Sequence, residues 1–253
     1  MTELPEPVAQ GDLAQTPFAH LLLYIHLHEL SGTLVLWLPA GEDERPRQDR
    51  IGFELGEPIS GRFVARASRL ELAMLPLFAR ASGPYAFYEG VDLVGSGDEV
   101  RTGIADPFRL LAASLRGSTR DDVVSAVLAR FGDRPVRFST SVDLDRFELL
   151  PDEQAFVDAV RAAPASIAEL TAMSPLVPRM AARVLYLLAI TKSIETWDPP
   201  AAAPPDPRAA TPQGTPRPRA EPSPRAEPSP RAEPSPRAEP SPRAEPSPRA
   251  EPS

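Results

Sequence analysis

From Arg219 to Pro248 the chain repeats RAEPSP five times without a break, and RAEPS follows. Proline at every second or fourth position removes backbone donors and is incompatible with a helix or the middle of a sheet. From residue 199 onward there is no large apolar side chain, so no burial can offset the entropy of ordering the segment. Residues 199–253 hold 19 of the 33 prolines. They are therefore expected to form a disordered, proline-rich tail, at most a semi-stiff spacer of roughly 170 Å at ~3.1 Å per residue. The repeat spaces its prolines by two and four and so contains no P-x-x-P motif for an aromatic groove. Whatever folds must come from the first 198 residues, enough for one large or two small domains.

Charge divides at the same place. The tail carries 8 Arg against 7 Asp/Glu, which leaves 19 basic and 28 acidic residues in the first 198. An acidic body repels phosphate backbones and anionic headgroups, which argues against nucleic-acid and membrane-surface partners. Without cysteine there is no disulfide framework, thiolate zinc site or cysteine nucleophile. The start MTELPEPVAQ is acidic and proline-broken, unlike a secretory signal. The apolar runs LLLYIHLHEL and AARVLYLLAI fall short of the ~20 residues a membrane span needs. These features predict a soluble, cytoplasmic protein with no membrane partner.

Local signals predict an α+β fold: a small antiparallel sheet flanked by helices, then a helical, winged-helix-like module, then the disordered tail. After an irregular lead-in (1–10), Thr16-Pro17 marks the start of a helix reaching about Leu30, and Ser31-Gly32 ends it, with glycine free to turn left-handed. TLVLWL reads as a buried strand, and IGFEL as a second that sends Ile51, Phe53 and Leu55 to one face. PISGRFV continues as a third, and residues 67–80 form an amphipathic helix kinked at Pro76. GPYAFYEGVDLV is another strand or hairpin. Two helices with Asp starts and Gly stops, 106–117 and 121–132, make a connector over 106–150. Over 151–198, three helices and a short strand outline a winged helix-turn-helix, the second helix opening on a Ser166…Glu169 capping box.

Candidates for chemistry fail on geometry. His20, His26 and His28 lie within nine residues, but no pair has the i,i+4 spacing by which two imidazoles share a zinc ion. GSGDEVRTG (95–103) lacks the Gly-Lys-Ser/Thr ending of a phosphate loop and reads as a flexible connector. Lys192 sits in the last turn of a helix, where a cation complements the dipole. Asp121-Asp122 and Asp152-Glu153 sit at helix starts for the same reason. The expectation is no enzyme, no cofactor and no metal.

Gly11-Asp12-Leu13 precedes Pro17 and its helix; Ser31-Gly32-Thr33-Leu34 enters a strand; Ile51-x-Phe53 precedes Gly56 and Pro58; and Gly83-x-Tyr85-x-Phe87 closes the series. This order of features over the first ~90 residues resembles the PatA-type amino-terminal (PATAN) domain of bacterial signalling and motility proteins. The resemblance spans roughly 11–197, with the PATAN-like part over 11–105. The 39–50 insertion and the repeat tail depart from the family's pattern. It implies a domain that works by protein–protein contact and brings no catalytic residues. The expected function is a non-catalytic adaptor in bacterial signalling or regulation. Its partner would be an unidentified protein or a second copy of the chain. The alternative is a winged-helix transcriptional regulator in which Arg179 and Arg183 contact DNA. Under the adaptor reading the first helix matters most. It carries one apolar stripe of Phe18, Leu21, Leu22 and Ile25, and a second of Leu23, Leu27 and Leu30 on nearly the opposite side, so it must be covered twice. Leu23, Leu27 and Leu30 are the candidate interaction surface.

Overall fold

A computed structural model describes residues 5–38, 47–65, 67–97, 100–139 and 143–197. The expected disordered tail and most of the 39–50 insertion lie outside the described residues. The fold is α+β, with an antiparallel sheet of six strands and helices. Its strands are β1 (Ala9–Asp12), β2 (Gly32–Trp37), β3 (Gln48–Glu54), β4 (Glu57–Arg62), β5 (Pro84–Glu89) and β6 (Val100–Thr102). Their spatial order is β1-β5-β2-β3-β4-β6, every pairing antiparallel. Alternation puts Leu34, Leu36, Ile51, Phe53, Tyr85 and Phe87 on one face, all buried. They share a core with Phe18, Leu21, Leu22 and Ile25 of α1 (Phe18–Leu27). On the opposite face Val35, Ala86 and Tyr88 form a smaller cluster with Trp37, Val91 and Leu93. The chain after β5 is pinned there by Thr33, whose hydroxyl donates to the Val91 carbonyl (2.6 Å) and accepts from the Leu93 amide (3.0 Å).

Several local expectations are corrected. Strand β1 begins within the lead-in, at Ala9, and the supposed connector at 95–103 contributes β6 at the opposite edge of the sheet. Leu55 does not join Ile51 and Phe53: Leu55 (φ 49°) and Gly56 (φ 80°) are the two residues of a type I′ hairpin turn, and Leu55 is exposed. The kink expected at Pro76 is a change of helix type, from α2 (Leu70–Met74) to a 3₁₀ turn (Leu75–Ala79).

The helical half comprises α3 (Pro107–Leu115), α4 (Asp121–Leu128), α5 (Pro151–Ala162), α6 (Ile167–Met173) and α7 (Pro178–Ile190). Asp106 caps α3, accepting from the Phe108 and Arg109 amides. The Ser166–Glu169 capping box is present on α6. Strands β7 (Val136–Phe138) and β8 (Ile194–Thr196) pair antiparallel, and Val136 also bridges to Ala165 between α5 and α6. The core is continuous from the sheet through Phe156, Val157 and Val160 of α5 to Val184, Leu185, Leu187 and Leu188 of α7.

Buried carboxylates are used as fasteners. Asp49, 2 % exposed, accepts from the Val64 amide and pairs with Arg80. Glu153, also 2 % exposed, takes both Nε and Nη2 of Arg116 while accepting from the Leu150 amide, so it joins α3 to the start of α5. This is a firmer role than the dipole complement expected of it, because a desolvated carboxylate must be fully paired.

A candidate interaction groove along the first helix

The site is built on how α1 ends. His28 caps it, Glu29 turns left-handed (φ 51°), and the Leu30 amide donates back to the Ile25 carbonyl while Glu29 donates to His26. This is a Schellman stop, with glutamate where glycine is usual. The helix therefore ends three residues before Leu30, and the left-handed residue is Glu29 and not Gly32. The same turn explains where the candidate surface residues go. Leu30 follows a left-handed residue, leaves the helical stripe and is half-buried against the core. Leu23 remains on the helix and is buried, while Leu27, one turn further on, is 58 % exposed. The three leucines do not form one surface.

A different stripe does. His20, Leu23, Tyr24, Leu27 and His28 follow i, i+3, i+4, i+7, i+8 and together line one wall of a groove of about 330 Å³. Val127 of α4 and Arg130 beyond it, with Ala189, Ile190 and Lys192 around the end of α7, line the rest. Tyr24 is 52 % exposed, so two large side chains on neighbouring turns face outward. Helix α7 ends as α1 does: Lys192 is left-handed (φ 57°), its amide donating to Ala189 and that of Ser193 to Leu188. Lys192 thus lies past the helix, at the groove's rim, rather than in its last turn. Neither Lys192 nor Arg130 has a carboxylate partner among the described residues, whereas Arg80, Arg109, Arg116, Arg120, Arg137, Arg146, Arg161, Arg179 and Arg183 are all ion-paired. In an acidic body, this groove is lined by cationic, imidazole and apolar groups with no carboxylate among them.

The histidines separate as their spacing requires. His20 stacks on Tyr186 with ring centroids 6.0 Å apart, His26 stands edge-on to Phe108 at 5.1 Å, and His28 lies against Tyr24 at 4.4 Å. Among the described residues no three His, Asp or Glu side chains converge on a possible metal position. Burial and, secondarily, the Arg130 charge push the His20 imidazole below its ordinary pKa of 6.5. In the unfolded chain His20 titrates near 6.5, so below that pH the unfolded state binds the extra proton and stability falls. The full chain should therefore lose melting temperature between neutral pH and about pH 5.5, and His20→Gln should flatten that slope. Parallel slopes for the two proteins would show that His20 is not the titrating group.

No family model, curated protein or solved structure matches the chain. Arg183, a DNA-contact candidate, is 4 % exposed and committed to the interior, where it donates to the Leu115 and Thr119 carbonyls and to Asp121. It cannot reach a groove of DNA. Arg179 is exposed but bound by both carboxylate oxygens of the same Asp121. A second hollow of about 350 Å³, between α2 and α3, has Leu72 and Ile104 exposed at its edge. Two of its three arginines are already neutralised, Arg109 by Glu148 and Arg116 by Glu153, and Glu71 and Asp106 line it beside Arg69, so its charge is mixed and selects no sign of ligand. No helix among the described residues is long and apolar enough to cross a membrane.

Proposed function

We propose that this chain is a non-catalytic adaptor, acting by protein–protein contact in bacterial signalling or regulation in the cytoplasm. The observation that carries the reading is the groove along α1, with Tyr24 and Leu27 exposed above a floor of Leu23 and Val127. Contact surfaces concentrate aromatic and aliphatic anchors within a polar rim, and this groove has both. The PATAN resemblance of the first ~90 residues supports the same reading. The DNA-binding alternative loses Arg183 to burial, and α7 keeps Val184, Leu185, Tyr186, Leu187 and Leu188 inside.

A photoreactive phenylalanine analogue in place of Tyr24, in the full chain in its native cell, tests the proposal. Irradiation should give discrete adducts with another protein, absent when the analogue replaces Asp158 on α5. Leu27→Asp should abolish them while costing no more than about 1–2 kcal/mol, because the side chain is already exposed and the loss is that of a weaker helix former and an anion in the last turn of α1. Two results would reject the adaptor. One is an absence of adducts specific to position 24. The other is sub-micromolar binding of duplex DNA at physiological salt with a steep salt slope.

A further inference from the structure

We propose that the groove along α1 receives an acidic amphipathic helix from a partner protein. The inference rests on the adaptor reading and names the chemistry of the partner. Residues 20 to 28 give a ridge of two turns, about 12 Å long at 1.5 Å per residue. The ends of α4 and α7 form the facing wall. A hollow between helical ridges is filled by another helix, whose i, i+3, i+4 and i+7 side chains interdigitate with them. Extended segments bind sheet edges through backbone groups, and the groove lining includes no strand residue.

Charge fixes the sign of the occupant. Arg130 and Lys192 are exposed at the rim without a carboxylate partner among the described residues, and the lining holds no Asp or Glu. Glutamates or aspartates flanking an apolar stripe would answer both cations, while leucine-sized anchors would cover Leu23, Leu27 and Tyr24.

The chain does not supply this helix itself. Its acidic helix α5 already buries Phe156, Val157 and Val160. The repeat tail offers glutamates but no large apolar side chain to fill the floor. A second copy docking by the same groove would set Arg130 and Lys192 against their own counterparts, which is repulsive.

Three synthetic peptides with identical helical leucine spacing, flanked by Glu, Gln or Lys, provide the test. Fluorescence anisotropy with the full chain, at low and physiological salt, reads their affinities. The Glu peptide should bind about tenfold tighter than the Lys peptide, with the Gln peptide between. The double variant Arg130→Glu/Lys192→Glu should reverse the order, and it should still melt cooperatively within a few degrees of the wild type, because both side chains are exposed and only their helix-end charges are lost. Equal affinities for the three peptides, or an order the double variant leaves unchanged, would overturn the inference. So would preferential binding of the Lys peptide by the wild type. Position-24 adducts alongside such a result would leave the adaptor standing without its acidic helix, whereas their absence removes the adaptor itself.

Discussion

Gly32→Ala is expected to destabilise the chain by about 4 kcal/mol or more, enough to unfold much of the protein at ambient temperature. Gly32 sits at φ 148°, and a methyl built on it would lie 2.1 Å from the Tyr88 carbonyl oxygen and 2.9 Å from the Glu89 Cα. Both atoms belong to the backbone of β5, so no rotamer change relieves the clash. Nor can the strand simply move. Leu30 accepts from the Gly56 amide, Ser31 accepts from Gly90 through its carbonyl, and the Ser31 hydroxyl accepts from Leu55. The Leu30–Gly32 segment is thus held against the β3–β4 turn and the end of β5 at once. Gly90→Ala is the control: its φ is positive too (67°), but its methyl would meet nothing within 4 Å. It should cost only the left-handed penalty of about 1–2 kcal/mol. Urea unfolding of the full chain compares the two, and equal losses would show that strain alone, not the close approach of β5, explains the glycine.

Arg183→Met carries the second large effect, a loss of about 3–5 kcal/mol. The guanidinium closes the end of α3 by donating to the Leu115 carbonyl, holds the following loop through Thr119, and reaches Asp121 at the start of α4. Methionine fills similar space but leaves two buried carbonyls unsatisfied, at roughly 1–3 kcal/mol each. Asp121→Ala strips the buried guanidinium of its counter-charge but leaves both carbonyls satisfied and gives the vacated, half-exposed side to water, so it should cost measurably less than Arg183→Met. The hydrogen bond from Arg179 first, and those of Arg183 after it, hold the Asp121 carboxyl below its ordinary 3.8. Its contribution is therefore complete above that pH and is lost as acid protonates the folded state. If Arg183→Met and Asp121→Ala proved equally costly, the ion pair rather than the buried carbonyls would be the stabilising element.

These two residues mark the boundary of what sequence reading reaches. Gly32 was visible as a punctuation mark after an apolar helix, but its reason was not. The left-handed stop falls on Glu29, and glycine is needed because β5, more than fifty residues away, passes over it. Arg183 read as a surface cation on a recognition helix because one helix seen alone says nothing about what covers it. The groove lay between these cases. His20, Leu23, Tyr24, Leu27 and His28 form a stripe that helical spacing alone could have shown, yet following Leu23 and Leu27 on to Leu30 assumed a helix three residues too long. Arg130 and Lys192 gave no such signal, since they meet α1 only through the folding of α4 and α7.

The sequence by itself determined the period of the longer helices, the burial of β2, the alternation of β3 as far as Phe53, the caps at Asp106 and Ser166, and the unsuitability of the repeat for a packed core. Those follow from side-chain spacing and backbone chemistry within a few residues. Tertiary structure decided which helical face stays open, which arginines are interior clamps and which cations remain unpaired at a rim. Those depend on neighbours distant in sequence, whose positions no local pattern encodes.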